Sequence, residues 1–460
     1  MTAVAADPRA RHRPVWALHV LVVGLALHNF VMAQLWEAGV RGDALDVVAA
    51  WKDVLVLVAL LLAIRVRGRL PFDGLLTDWL ALAFAGFVVL YAVLPQGWLG
   101  GDASTNGVLL GLRHDGMPVA AYFLGRALGL DRDELRRVLA TIVATAFAVA
   151  AFGLVDVYAV SLQWWRDSAA DWFTHQLGFD YLGLSGLPEN FVYNTGDEQP
   201  LRRLVSTFLS PLAASYLLVI GLLVAAAWLM LERLRGRMLA LWLLLVTVLI
   251  AGLLWTHSRS SYLALALGLA VLAFVGRAAS RPQRRALVAA AFGVVVIGAA
   301  FVRVYPDVGP RTSFTPAELV VQRENARDGG DAVDGLSDAS TESHWRSLRA
   351  GLRTVLRHPQ GFGLGNAGST ASRTDTEIQA GESTYTELGV STGLLGGLVF
   401  VAWSAALLWR IRRAALIAAA FAAVLALGLQ TDVIGVPWVA CVVWALAGPG
   451  ERPKEDPGRS

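Results

Sequence analysis

Arg259 lies in His257-Ser258-Arg259-Ser260-Ser261, between the apolar runs 238–255 and 262–275. An arginine that deep in an apolar stretch costs roughly 2.5–3.5 kcal/mol on insertion scales, so such a residue ordinarily faces a cavity and holds an anion. Arg203 stands in Arg202-Arg203-Leu204-Val205-Ser206-Thr207-Phe208, just before another apolar run. A guanidinium offers a planar fork of donors that suits phosphate, and two forks at similar depth fit a pyrophosphate. The plainer alternative makes Arg203 a marker of the membrane boundary. His257 adjoins Arg259 in the chain, but its ring can point elsewhere. Glu382 opens Glu382-Ser383-Thr384-Tyr385 between a glycine-rich turn and an apolar run. That position suits a site carboxylate, a helix cap or a solvated charge.

Other residues carry weaker signals. Lys52 and Asp53 interrupt the apolar run 46–64. Adjacent residues on a helix do not face each other, so each needs a partner on another helix, as a structural ion pair or in a site. Gly363-Leu364-Gly365-Asn366-Ala367-Gly368 matches the dinucleotide fingerprint, but an arginine-rich helical pattern precedes it instead of a strand. That reading is rejected; the glycines more simply let the backbone bend sharply or approach a ligand. Asp328, Asp331, Asp334 and Asp338 lack the spacing of a calcium loop. No metal-ligand cluster is evident from spacing, and neither a metal nor a cofactor is expected. Cys441 is the single cysteine, cannot form an intramolecular disulfide, and suits apolar packing.

The elements that must position these residues are membrane helices. Of the 460 residues, 56% are hydrophobic and 16% charged, and the mean hydropathy is +0.54. A soluble chain averages near 25% charged, and one soluble core could not hide this much apolar surface. The composition reads as one integral membrane domain over 1–460, with no nucleic-acid motif. Expected spans are 14–36, 46–64, 76–95, 107–127, 138–162, 207–231, 238–256, 261–275, 286–304, 390–409, 414–430 and 433–448. Arg9, Arg11 and Arg13 precede the first run, which is too long for a signal peptide and reads as an uncleaved span. Long, non-alternating runs mean helices and exclude a barrel. The fold class is therefore an all-α polytopic membrane protein of about twelve transmembrane helices.

Basic clusters set the orientation. Arg65, Arg67 and Arg69; Arg132, Arg136 and Arg137; Arg233, Arg235 and Arg237; Arg277, Arg281, Arg284 and Arg285; and Arg410, Arg412 and Arg413 all fall on one side of the expected spans. The positive-inside rule makes that side cytoplasmic, with both termini there. Two long polar segments, 163–206 and 305–389, then lie outside. The first carries Trp164, Trp165, Trp172, Phe173, Phe179, Tyr181, Phe191 and Tyr193, which read as interfacial anchors, with carbohydrate stacking as the alternative. In the second, Trp345, Leu348, Leu352, Val355 and Leu356 recur at helical spacing, and Arg346, Arg349, Arg353 and Arg357 fill another face. This predicts an amphipathic helix, lying on the outer leaflet or packed on the spans.

The ordered set of motifs resembles the O-antigen ligases and polymerases over roughly 45–450. Arg203 with Ser206-Thr207-Phe208 and Ser210-Pro211 resembles their arginine, Thr-Phe and Asn-Pro pattern, and Thr256-His257-Ser258-Arg259-Ser260-Ser261 their Ser-Arg-Gly/Ser motif. His358-Pro359 to Gly365 is similar to their Pro-x-x-Gly-x-Gly-x-Gly turn. Glu382-Ser383-Thr384-Tyr385 with Thr392-Gly393-Leu394-Leu395-Gly396 resembles their His-Asn-x-Tyr motif and downstream Thr-Gly-Leu-x-Gly. Glu382 and Ser383 replace the ligase His-Asn pair, a form closer to the polymerase branch.

The resemblance implies a bacterial inner-membrane glycosyltransferase, inverting and metal-independent, that polymerises or ligates surface polysaccharide. The donor would be an undecaprenyl-pyrophosphate-linked glycan, and the acceptor a glycan or glycolipid, with membrane lipids around both. It implies Arg203 and Arg259 on the pyrophosphate, Glu382 as general base in the histidine's place, and Tyr385 positioning the acceptor. His257, Lys52 and His344 complete the substrate-binding candidates. A transporter or lipid-linked glycan flippase is the rival reading, because buried charges such as Lys52 and Asp53 suit a transport path; no repeated half supports it. A non-catalytic assembly scaffold is a third reading.

Overall fold

A computed structural model describes residues 13–179, 187–194, 199–231, 235–275, 280–327 and 339–449. Arg9, Arg11, Tyr181, Arg233, Arg277, Asp328, Asp331, Asp334 and Asp338 lie outside the described residues.

Helices follow the apolar runs in chain order: α1 (Trp16–Glu37), α2 (Asp43–Ala49), α3 (Trp51–Arg67), α4 (Leu76–Val93), α5 (Gln96–Leu99), α6 (Thr105–Leu128), α7 (Arg132–Ala159), α8 (Leu162–Asp171), α9 (Pro211–Leu231) and α10 (Gly236–Trp255). Then come α11 (Arg259–Val275), α12 (Arg281–Val308), α13 (Pro316–Arg327), α14 (Ala339–Arg357), α15 (Gly368–Ser372), α16 (Thr384–Ile411), α17 (Ala415–Leu427) and α18 (Trp444–Ala447). Among the described residues, eight are long and apolar enough to cross a membrane: α1, the α2–α3 run, α4, α7, α9, α10, α12 and α16. The other expected spans are helical but shorter or more polar; α11 and α17 are short, and α6 carries Arg113, His114 and Asp115. A two-stranded antiparallel ribbon, β1 (Val192–Tyr193) with β2 (Leu201–Arg202), adds a feature not read from the sequence.

The bundle is a polytopic membrane architecture. Val54, Leu57 and Leu61 of α3, Leu241 and Leu244 of α10, and Phe292 and Val296 of α12 all face outward. Such continuous exposed apolar surface suits lipid and not water. Buried residues make up 78% of the most apolar stretch of α9 but 17% of those of α10 and α12, so α9 is interior and the other two are peripheral. Trp403, Phe84, Phe400, Phe421 and Trp444 form an aromatic core between α4, α16, α17 and α18.

The basic loops gather at one end. Arg67 donates to the Arg126 carbonyl at 2.8 Å and to Asp73 at 2.8 Å. Arg126 reaches Asp73 at 2.6 Å and the fully buried Asp78 at 3.2 Å. The Tyr122 hydroxyl donates to Asp78 at 2.6 Å, and Arg410 donates to Thr77 at 2.7 Å and to the Gly448 carbonyl. Arg13 donates to the carbonyls of Leu128 and Gly129, where α6 ends in a left-handed glycine. A capping box of Asp131 and Glu134 then starts α7. Despite some burial, the three arginines around Asp73 hold its carboxyl below the ordinary aspartate value.

One expectation changes, and the amphipathic helix takes one of its two expected placements, packed on a span. Trp165, Trp172, Phe173 and Phe191 are not interfacial anchors: they are buried in a second core with Met32, Trp36 and Leu45. Edge-to-face ring packing, and the Trp165 indole donating to Asp156 at 2.6 Å, satisfy them there. Helix α14 forms, but its apolar residues divide between two surfaces. Gly351 and Val355 pack on Thr386 and Gly389 of α16, while Trp345, Leu352 and Leu356 are exposed beside Arg346, Arg349, Arg353 and Arg357.

Candidate functional site

The end of the bundle away from the basic loops carries the sequence-selected arginines. Arg202 and Arg203 leave the extended β2 segment with their side chains alternating to opposite sides. Arg202 is buried and paired with Asp156 at 3.2 Å, and the Tyr305 hydroxyl donates to its carbonyl. Arg203 turns the other way. Its Nε donates to the Thr256 carbonyl at 3.0 Å, and its Nη groups make no hydrogen bond among the described residues. The backbone is sewn to the same turn, since Leu204 N–H donates to the Trp255 carbonyl at 2.9 Å. Arg203 is thereby set beside the α10–α11 turn that holds Arg259. Burial, with the Arg259 charge beside it, lowers the Arg203 guanidinium to about 10.

His257 belongs to this group. It is 5% exposed and stacks on Tyr305 at 4.7 Å and against Tyr193 at 4.2 Å. Burial, then the charges of Arg203 and Arg259, lower its pKa to about 3, so the ring is neutral near pH 7. Its Nε2 is buried without a hydrogen-bond partner among the described residues. Arg259 is half-buried at the first position of α11. Behind it, Ser261 bonds Ser258 at 2.8 Å and Ser215 of α9 at 2.7 Å. The backbone is strained here: His257, Ser206 and Leu209 all have φ between 51° and 53°. Left-handed non-glycine residues cost energy and collect at functional sites.

Glu382 has φ 74°, also left-handed. Its carboxylate lies 2.8 Å from His344 Nδ1 of α14, so two of the sequence-selected residues meet. That hydrogen bond, ahead of an opposing burial effect, holds the Glu382 carboxyl below the ordinary glutamate value. No described contact joins Glu382 to Arg203 or Arg259. The link is through the fold. Thr384 N–H donates to the Gly428 carbonyl at 3.1 Å, Thr431 bonds Tyr216 of α9 at 2.5 Å, and the adjacent Ser215 reaches Ser261 beside Arg259. The Glu382 turn and the Arg259 turn therefore cap the same end of α9, α11 and α17.

The glycine-rich turn supports the start of α16. Gly361, Gly363 and Gly365 have φ of 72°, 97° and 86°. Helix α16 breaks at Gly393, with φ 71°. There the turn takes over the helix's own hydrogen bonding: Phe362 N–H donates to the Val390 carbonyl at 2.8 Å, and Leu394 N–H donates to the Pro359 carbonyl at 2.9 Å. In an unbroken helix those two α16 groups would bond each other. The glycines thus serve backbone docking, as the rejection of the dinucleotide reading anticipated.

Two candidates lie apart from the arginines. The Tyr385 hydroxyl donates to the Leu425 carbonyl at 2.8 Å, joining α16 to α17. Lys52 bonds His28 at 3.0 Å and the Ala49 carbonyl at 2.8 Å, while Asp53 pairs with Arg113 at 2.9 Å. Sequence reasoning missed His114, Asp115, Glu387 and Asp432, which the fold brings together. Their separation along the chain hides them; the only local signal was a His-Asp pair inside an apolar run.

Fold and site together define a polytopic membrane protein with two arginines and a neutral histidine clustered at the mouth of a helical bundle. Residues 243–401 match the O-antigen ligase family model, which supports membership of that family of polysaccharide-handling membrane enzymes. The match spans Arg259, His344, Glu382 and Tyr385; Arg203 precedes it. No curated protein matches the chain.

Proposed function

We propose that the protein is a membrane glycosyltransferase that polymerises or ligates surface polysaccharide, taking glycan from an undecaprenyl-pyrophosphate carrier on the outer face of the membrane. The observation that carries this reading is that Arg203, bonded to the Thr256 carbonyl, is set beside the turn holding His257 and Arg259, with His257 neutral. With Nε fixed on a carbonyl, the Nη fork of Arg203 is oriented before a ligand arrives. Fixed cations in a half-buried site stabilise the charge that grows on a leaving diphosphate better than water does. The lipid tail would lie between helices, with twelve spans and both termini cytoplasmic.

In this mechanism Glu382 accepts the acceptor hydroxyl's proton as that oxygen attacks the anomeric carbon. The bond to the pyrophosphate breaks with inversion, and the lipid diphosphate leaves. The hydrogen bond from His344 keeps Glu382 ionised. Arg346, Arg349 and Arg353, exposed on α14, would meet anionic lipid headgroups or glycan.

The test is purified protein in proteoliposomes supplied with a lipid-linked glycan and an acceptor. A new glycosidic bond with release of undecaprenyl pyrophosphate supports the reading. Movement of the donor across the bilayer without bond formation supports the flippase instead. Glu382→Gln should insert normally and lose roughly 10²–10⁴-fold in transfer, the usual range for a general base; near-normal product from it removes Glu382 from the mechanism.

A further inference from the structure

A second cluster joins three segments distant in sequence. His114 comes from α6, Glu387 from the first turn of α16, and Asp432 from the turn after α17. One donor atom from each lies within 4.8 Å of the others. His114 Nε2 is 2.7 Å from Asp432 Oδ2, and its Nδ1 is 2.7 Å from Asp115 Oδ1. The other Asp432 oxygen accepts from Thr384 at 3.3 Å. Glu387 is 5% exposed, and the Glu382 backbone N–H lies against its carboxylate. Asp115, 2% exposed, leaves its Oδ2 buried without a partner among them.

The surrounding backbone leaves room for convergence. A methyl group added at Gly435 would meet Asp432 Oδ2 at 2.0 Å and His114 Nε2 at 3.0 Å, and one added at Gly368 would meet Glu387 Oε2 at 2.0 Å. Charge is unbalanced as well. Three carboxylates surround one imidazole, while the neighbouring Arg113 is turned to Asp53. Buried carboxylates so close together are stabilised by a compensating positive charge or by taking up protons, and a cation satisfies all three at once.

We propose that His114, Glu387 and Asp432 bind a first-row divalent cation of the zinc or manganese class, with Asp115 orienting the histidine. One imidazole nitrogen and two carboxylate oxygens suit such an ion; calcium and magnesium prefer oxygen alone. Asp115 on Nδ1 supplies the carboxylate–histidine arrangement that directs Nε2 to a metal. Around a tetrahedral ion with bonds of about 2.0–2.2 Å, donors stand roughly 3.3 Å apart. Reaching that geometry requires His114 and Asp432 to separate from their 2.7 Å contact and Glu387 to move inward from within 4.8 Å. Side chains of both His114 and Asp432 are 13% exposed, which provides an entrance. The ion would clamp α6, α16 and the turn after α17 together, beneath the turn that carries Glu382.

The experiment uses the full chain in detergent micelles, stripped with a chelator and titrated separately with Zn²⁺ and Mn²⁺. Bound metal is measured by elemental analysis, and Tm by intrinsic fluorescence. Wild type should take up one equivalent of one of these ions and gain Tm. Glu387→Gln, which keeps side-chain volume and leaves the His114–Asp432 contact in place, should bind at least tenfold more weakly. Asp115→Asn should weaken binding by about 10–100-fold, as for other residues that orient a metal-bound histidine. Absence of stoichiometric uptake of either ion by folded wild type overturns the proposal, as does wild-type affinity in Glu387→Gln. Metal uptake is read without glycan, so this proposal fails or stands separately from the transferase reading.

Discussion

The two ends of the bundle use the same residue type for opposite purposes. At the basic end, Arg67, Arg126 and Arg410 meet carboxylates, hydroxyls and carbonyls of neighbouring helices and tie α3, α4, α6 and α16 together. At the other end, Arg203 is anchored, among the described residues, through Nε and stands beside Arg259 and a histidine that burial keeps neutral. An arginine held by a buried carboxylate is part of the scaffold; in the proposed mechanism, Arg203 and Arg259 serve a diphosphate instead. Adjacent Arg202 and Arg203 repeat the contrast within one dipeptide, because Arg202 is held by Asp156.

The comparison breaks most readily at its structural end. Arg126→Ala leaves the fully buried Asp78 without its cation and should cost about 3–5 kcal/mol of stability. A lowered Tm or poor recovery of folded protein is expected; an unchanged Tm would mean that the basic end is not a clasp. Arg203→Ala should do the reverse. Its folded yield and Tm should be close to wild type, while transfer falls roughly 10²–10³-fold, as when a fixed donor to developing charge is removed. Equal damage to Tm would make Arg203 another structural arginine.

A finer prediction concerns pH. The His344 hydrogen bond lowers the Glu382 carboxyl, so wild type keeps its base ionised further into acid than an ordinary glutamate would. His344→Gln removes the imidazole's contribution, and the acid limb of the transfer–pH profile should move to higher pH. A limb that stays in place would show that Glu382 is not the group being titrated.

Much of the helical plan was legible because lipid demands long apolar runs, and these are local in sequence. Arg203, Arg259 and Glu382 were legible because polar residues at the mouths of such runs are costly and stand out. The turn at 361–368 was readable as backbone chemistry, although its docking into the break at Gly393 was not. Sequence gave no register between α6, α16 and the turn after α17, so the meeting of His114, Glu387 and Asp432 was invisible. The burial of Trp165 and Phe173 was missed for a related reason: aromatics at a boundary suit lipid and protein equally, and only packing decides.

The most direct test of the paired-arginine site is turnover by Arg259→Lys in the reconstituted transfer assay. Lysine keeps the charge but loses the planar fork. A protein that folds normally yet forms little product is the predicted result, and wild-type turnover would contradict the diphosphate clamp.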